Sequence, residues 1–271
     1  MRTKIVVIST LVLLELALAF GISEWRSVFW DAIANKNFEV FTHQLIIFLF
    51  ISMAFVFTAS TCQYMYALLA RQWRGVLNSK ALTLTDTKAE NFSQRVQEDC
   101  RDYPLLAISL GFGSIKAICY ILLFSGYIIA NYSLNYVVII TIYAIISSII
   151  AKKIAMPLIK LNYLSQVAEA SYRQDLTESN YTVATNLVKE IAYKTKLLSY
   201  FQTGYGQAGV LVPIIILAPA YFGGAMTLGL LMQVKGLLTD ILDNQSYAIY
   251  SFDSINRLLS CRKRLTEIGI I

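Results

Sequence analysis

Five ionisable residues interrupt or border long uncharged stretches of this chain. Glu15 breaks the apolar run 5–23, and Lys116 is the single charge between 103 and 151. Lys235, Asp240 and Asp243 follow the uncharged stretch 197–234. A charge at the centre of a bilayer costs at least about 2.5–3.5 kcal/mol on insertion scales, so such groups normally face a cavity or a partner. A desolvated carboxyl also holds its proton more tightly than one in water. The chemistry these residue types suit is therefore proton exchange at membrane depth. Glu15 lies near the middle of its apolar run. Asp240 and Asp243 are three apart and share a helix face. On a wetted face they would bind and release a proton, or attract a cationic peptide. Lys116 is a partner for any of these carboxylates. The competing reading is internal ion pairing that only holds helices together, or, for Asp240 and Asp243, full hydration at a helix end.

Other chemistries lack their parts. One histidine, His43, builds no metal site alone and leaves little for acid–base catalysis. Cys62, Cys100, Cys119 and Cys261 are isolated, with neither a C-x-x-C pair nor metal-like spacing, and are expected as free thiols. ATP hydrolysis needs a G-x-x-x-x-G-K-[ST] loop. The glycine-rich segment Gly204-Tyr205-Gly206-Gln207-Ala208-Gly209 has no lysine after it, and 271 residues leave no room for an ATPase domain after the last helix. The chain is expected not to be an enzyme and to use no cofactor or metal. If it moves a solute, the drive is an ion gradient or a separate ATPase.

The elements that position these residues follow from composition. The chain is 56% hydrophobic and 15% charged, with mean hydropathy +0.56; soluble domains carry about 25% charged residues. An ordinary cytosolic enzyme, a disordered chain and a disulfide scaffold are excluded. The expected fold is an all-α integral membrane protein, a single transmembrane domain of six helices at about 5–22, 44–70, 104–129, 135–152, 199–222 and 226–248. Asn131-Tyr132-Ser133-Leu134-Asn135 and Gly223-Gly224 are the natural turns inside the two longest apolar runs. The connections 71–103 and 153–198 are rich in helix formers and are expected as long helical hairpins projecting beyond the bilayer. They and the two termini carry nearly all the lysine and arginine, which places both termini and both hairpins in the cytoplasm. The net charge of +6 thus reflects orientation, not nucleic-acid binding. Arg2, Lys4 and Ala17-Leu18-Ala19 also resemble a signal peptide; Glu15 within the apolar core argues against cleavage. Trp25, Trp30, Tyr132, Tyr136, Tyr221 and Phe222 suit an interfacial belt. Tyr120, Tyr127 and Tyr143 are candidates for lining a peptide cavity, beside a plain packing role.

Short motifs carry a resemblance. Gln72-Trp73-Arg74-Gly75-Val76-Leu77 precedes Ser93-Gln94-Arg95-Val96-Gln97-Glu98-Asp99 by about twenty residues. Glu24-Trp25-Arg26-Ser27-Val28-Phe29-Trp30-Asp31-Ala32-Ile33 comes earlier, and Val167-Ala168-Glu169-Ala170-Ser171-Tyr172-Arg173 and Thr227-Leu228-Gly229-Leu230-Leu231-Met232-Gln233 come later. Together, in this order, they resemble the SbmA/BacA peptide importers, a family related to peroxisomal-type ABC membrane domains. The resemblance implies an ABC-exporter-like transmembrane domain without a nucleotide-binding domain, located in the bacterial inner membrane. It implies proton-driven import of peptides or peptide-like antibiotics by a homodimer. It singles out Trp73, Arg74, Gln94, Arg95, Glu98, Asp99, Glu169 and Arg173 as the family-motif hairpin residues. On physical grounds these charges also suit a salt-bridged hairpin, with Glu98 and Asp99 pairing to the neighbouring projecting helix and Glu169–Arg173 an ordinary i,i+4 pair. Two alternatives remain: a membrane subunit that works with a separate ATPase, and a shortened relative acting as an assembly or sensor subunit.

Overall fold

The computed structural model describes residues 2–83, 92–174 and 178–271. Among them there is no strand; the chain is a succession of helices: α1 (Arg2–Ala34), α2 (Phe38–Thr83), α3 (Phe92–Asn131), α4 (Leu134–Gln174), α5 (Glu178–Phe222), α6 (Leu228–Gln245), α7 (Tyr247–Tyr250) and α8 (Phe252–Glu267). A helix satisfies its own backbone polar groups, which lipid cannot do. Five of these helices are long and apolar enough to cross a membrane: α1, α2, α3 from Val96, α4 to Leu158, and α5 from Tyr181. The sixth expected span, α6, is not among them. It has 18 residues and carries Lys235, Asp240 and Asp243. It is the inner helix of its unit, with Leu231, Gln233, Val234, Leu237, Leu238 and Ile241 buried.

Turn chemistry sets the ends. Lys36 takes a left-handed φ of 56° between α1 and α2, and the Asn37 side chain accepts the Val40 N–H at 3.1 Å to start α2. Gly224, at φ 76°, makes the turn after α5, a conformation costly for any other residue type. Thr227 caps α6 by accepting the Leu230 N–H. Helix α1 runs past its expected end near 22, because Val28, Phe29, Ala32 and Ile33 continue the apolar pattern beyond the first charges. Helix continues into both connections: α2 runs to Thr83, α4 to Gln174, and Pro104 and Pro157 lie inside α3 and α4.

The chain divides into two compact units, Met1–Ser133 with Leu217–Ile271, and Leu134–Ile216. In the first, α6 packs on α1 and α3, α2 packs on α1 and α3, and α8 packs on α3. Contacts at Asp31–Gly229 and Glu24–Gln233 show that α6 runs antiparallel to α1. One end of α2 and α3 closes a small core of Leu77, Ala81, Cys100, Leu265, Ile268 and Ile270. In the second unit, Tyr143 stacks on Tyr205 with ring centroids 5.1 Å apart and donates its hydroxyl to the Tyr205 carbonyl at 3.1 Å.

Candidate functional site

A polar seam runs through the first unit where α1, α3 and α6 meet. Glu15 lies deep in it, 2% exposed. Its carboxylate accepts a hydrogen bond from the Lys116 ammonium and forms an ion pair with it. Lys116 also lies 5.9 Å from the centre of the Tyr120 ring, within cation–π range. Of the carboxylates open to Lys116 from the sequence, the fold selects Glu15. The reason is register: α1 and α3 run in parallel, and the Glu15–Lys116 and Glu24–Tyr127 contacts follow one another along both helices.

Along the seam, Tyr127 donates to Glu24 Oε1 at 2.8 Å, and Gln233 Nε2 donates to the same oxygen at 2.7 Å. Gln233 is 2% exposed, so this cluster of α1, α3 and α6 side chains satisfies a polar group well inside the unit. Arg26 Nη1 lies 3.7 Å from Asp240 Oδ2, an ion pair too long to be a hydrogen bond. The guanidinium crosses α6 over Gly236, where a Cβ would meet Arg26 Nη1 at 1.9 Å. At the end of α1, Asp31 accepts the Gly229 N–H at 2.7 Å and the Thr227 hydroxyl at 3.0 Å. A carboxylate there favours a helix N-terminus, whose first N–H groups lack intrahelical partners. A Cβ on Gly229 would sit 2.0 Å from the Ser27 carbonyl oxygen, so α6 begins in direct backbone contact with α1.

The remaining candidates are dispersed. Asp240 turns toward Arg26 of α1, and Asp243, three residues on, is exposed. Lys235 is half-buried on α6. Tyr120 and Tyr127 belong to the first unit and Tyr143 to the second.

The family-motif hairpin forms a second cluster. Arg264 of α8 grips Asp99 of α3 with two hydrogen bonds, Nε to Oδ2 at 2.8 Å and Nη2 to Oδ1 at 2.6 Å. That corrects the expected pairing of Asp99 with a neighbouring projecting helix. The chain returns after α6, and Cys261 and Leu265, four residues apart, turn α8 onto α3. Asp102 is held by Arg101 at 2.7 Å and Arg257 at 2.9 Å. Trp73 meets Tyr103 edge-on at 5.5 Å. The Arg74 Nε atom is buried without a hydrogen bond among the described residues, and Glu98 is exposed on α3. Burial, then the nearby Asp99 carboxylate, pushes the Cys261 thiol up to about 11. The Asp99 hydrogen bonds shift Arg264 further upward. All four cysteines are free thiols. The side chains of Gln94, Arg95, Glu169 and Arg173 lie outside the described residues.

Glu24, Arg26, Asp31 and Gln233 were not among the sequence candidates for membrane-depth chemistry, and Tyr127 was named only as a cavity lining. Glu24 and Asp31 are seven residues apart, two helical turns, and so share a face. That spacing was the available signal.

The model of the SbmA/BacA-like family matches residues 1–270. The chain is 22% identical, over 98% of its length and 42% of the relative's, to the ABC transporter D family member 2, chloroplastic, of Arabidopsis thaliana. It is 26% identical to an uncharacterized ABC transporter ATP-binding protein of Haemophilus influenzae, over 83% of this chain and 46% of that one. It is 20% identical to the inner membrane ABC transporter ATP-binding protein YddA of Escherichia coli, over 97% and 56%. The chain thus spans about half the length of these relatives.

Proposed function

The chain belongs to the SbmA/BacA-like family, and we propose that it imports peptides or peptide-like antibiotics across a bacterial inner membrane, driven by protons, by alternating access in a homodimer. The observation that carries this reading is the ion pair between buried Glu15 and half-buried Lys116, on two apolar helices. A proton arriving at Glu15 neutralises the carboxylate, removes its attraction for the Lys116 ammonium and frees α1 and α3 to shift against each other. Loss of the proton restores the pair. Asp240 with Arg26, and Lys235 and Asp243 nearby on α6, extend the same electrostatics along the seam. In this reading α6 is the sixth span. Its charges are tolerated because α1 and α3, not lipid, pack against it. Both termini and both helical hairpins lie in the cytoplasm, in keeping with the distribution of lysine and arginine.

A second reading has a specific observation behind it. The relatives are named as ABC transporters or their ATP-binding proteins, so a separate ATPase docking on the hairpins would power the same movement. Uptake of a labelled proline-rich cationic peptide into proteoliposomes separates the two. Uptake driven by an imposed inward proton gradient without ATP, and abolished by an uncoupler, supports the proton-driven importer. Uptake that appears only with an added ATPase partner and ATP refutes it.

A further inference from the structure

A groove of about 320 Å3 lies among α1, α2 and α3, lined by Ile5, Leu69, Trp73, Ile108, Gly111 and Phe112. Its wall is almost wholly apolar. Gly111 leaves it open: a Cβ added there would meet nothing within 4 Å. Along α3 it reaches from Ala107 to Ile115, roughly 12 Å at about 1.5 Å per residue. One leaflet's hydrocarbon depth is half of about 30 Å, so the groove matches most of it.

One end of the groove is cationic. The Lys4 ammonium donates to the Leu68 carbonyl at 3.3 Å, one residue from Leu69 on the wall. That bond uses one of its three N–H groups. Arg2 is exposed and precedes Ile5 by three residues, on the same face of α1. Among the described residues no carboxylate pairs with either cation. Trp73, an amphipathic ring of the kind that sits at headgroup level, forms part of the wall. An apolar slot of leaflet depth that ends at two uncompensated cations has the shape and charge of a phospholipid with a negative head.

We propose that this groove holds one acyl chain of an anionic phospholipid, with the lipid phosphate bound by Lys4 and Arg2. The site is separate from the Glu15–Lys116 pair and does not depend on transport.

Native mass spectrometry of the full chain in detergent, given equal phosphatidylglycerol and phosphatidylcholine with identical chains, tests it. The wild type is expected to retain phosphatidylglycerol preferentially. Lys4→Gln should lower that preference about fivefold, the worth of one cation near an anionic surface. Gly111→Leu fills the groove and should lose both lipids while circular dichroism shows an unchanged helix content; Ile115→Trp blocks the same slot from another position. Excess glycerol phosphate should displace nothing. Equal retention of the two lipids by the wild type, or full retention by both groove-filling variants, would overturn the proposal. So would displacement by glycerol phosphate, which would mean a phosphate site with no acyl chain, or a dimer that both groove-filling variants dissociate, which would make this face a contact between copies.

Discussion

Replacing Arg264 by alanine should detach α8 from α3. The Asp99 side chain is 5% exposed and that of Arg264 41%, so truncation strands a buried carboxylate whose two strongest donors are gone. Breaking a buried pair from one side costs about 3–5 kcal/mol. The partial exposure of Arg264 lets water screen the pair and places the expected loss near the lower end, about 3 kcal/mol. Arg264→Lys keeps the charge but not the planar fork that engages both oxygens, and should fall between. Arg257→Ala is the control. Its side chain is 67% exposed and Asp102 keeps Arg101, so the loss should stay within about 1 kcal/mol. Asp99→Asn combined with Arg264→Met should recover part of the loss, because neither charge is then stranded. Thermal unfolding of the purified variants in detergent, followed by circular dichroism, ranks them. If Arg264→Ala is no worse than Arg257→Ala, the reasoning that α8 is held by this pair is wrong.

Other outcomes follow from the same contacts. Gly229→Ala should destabilise by about 1–3 kcal/mol through overpacking, since its Cβ would meet the Ser27 carbonyl at 2.0 Å; Gly126→Ala, with nothing within 4 Å, should be neutral or stabilising. Equal effects of the two in thermal unfolding would contradict the close approach of α1 and α6. Asp31→Ala removes the acceptor of the Gly229 N–H and the Thr227 hydroxyl, and should lower stability by about 1 kcal/mol; no measurable change in the same assay counts against the cap. The Cys261 thiol sits at about 11 against an ordinary value near 9. It therefore does not influence stability below pH 9. As pH rises from about 9 to about 11 the unfolded chain gains a thiolate that the folded chain resists, and stability should fall. Maleimide at pH 8 should label Cys261 slowly in the folded chain and quickly after denaturation; rapid labelling of the folded chain contradicts its burial.

Much of the helical architecture was legible because lipid imposes a simple rule. Uncharged runs such as 44–70 and 103–115 had to be helical, and the polar turn before Leu134 and the glycines after Phe222 marked the ends of α3 and α5. The helical character of the described parts of the connections 71–103 and 153–198 was legible from composition in the same way. The end of α1 was not, because hydropathy falls at Glu24 and Arg26 while helical periodicity continues through Phe29, Ala32 and Ile33. The fate of the last residues was also hidden. A basic tail gives no hint that Arg264 reaches back to Asp99 across most of the chain, since that contact depends on where α6 ends. Glu15 and Lys116 stood out as isolated charges, but their pairing required the register of α1 against α3. The network of Glu24, Tyr127 and Gln233 was less legible still: each is a commonplace polar residue, and only the convergence of α1, α3 and α6 makes them one cluster.

In the proposed mechanism, peptide movement is coupled to protons through Glu15. A pH-sensitive dye sealed inside proteoliposomes, with an inward proton gradient and no ATP, tests it most directly when a transported peptide is added outside. The account predicts that peptide accelerates acidification of the lumen for the wild type, and that Glu15→Gln, still folded by circular dichroism, loses this acceleration. Peptide entering without any added proton flux, or Glu15→Gln coupling as well as the wild type, would contradict it.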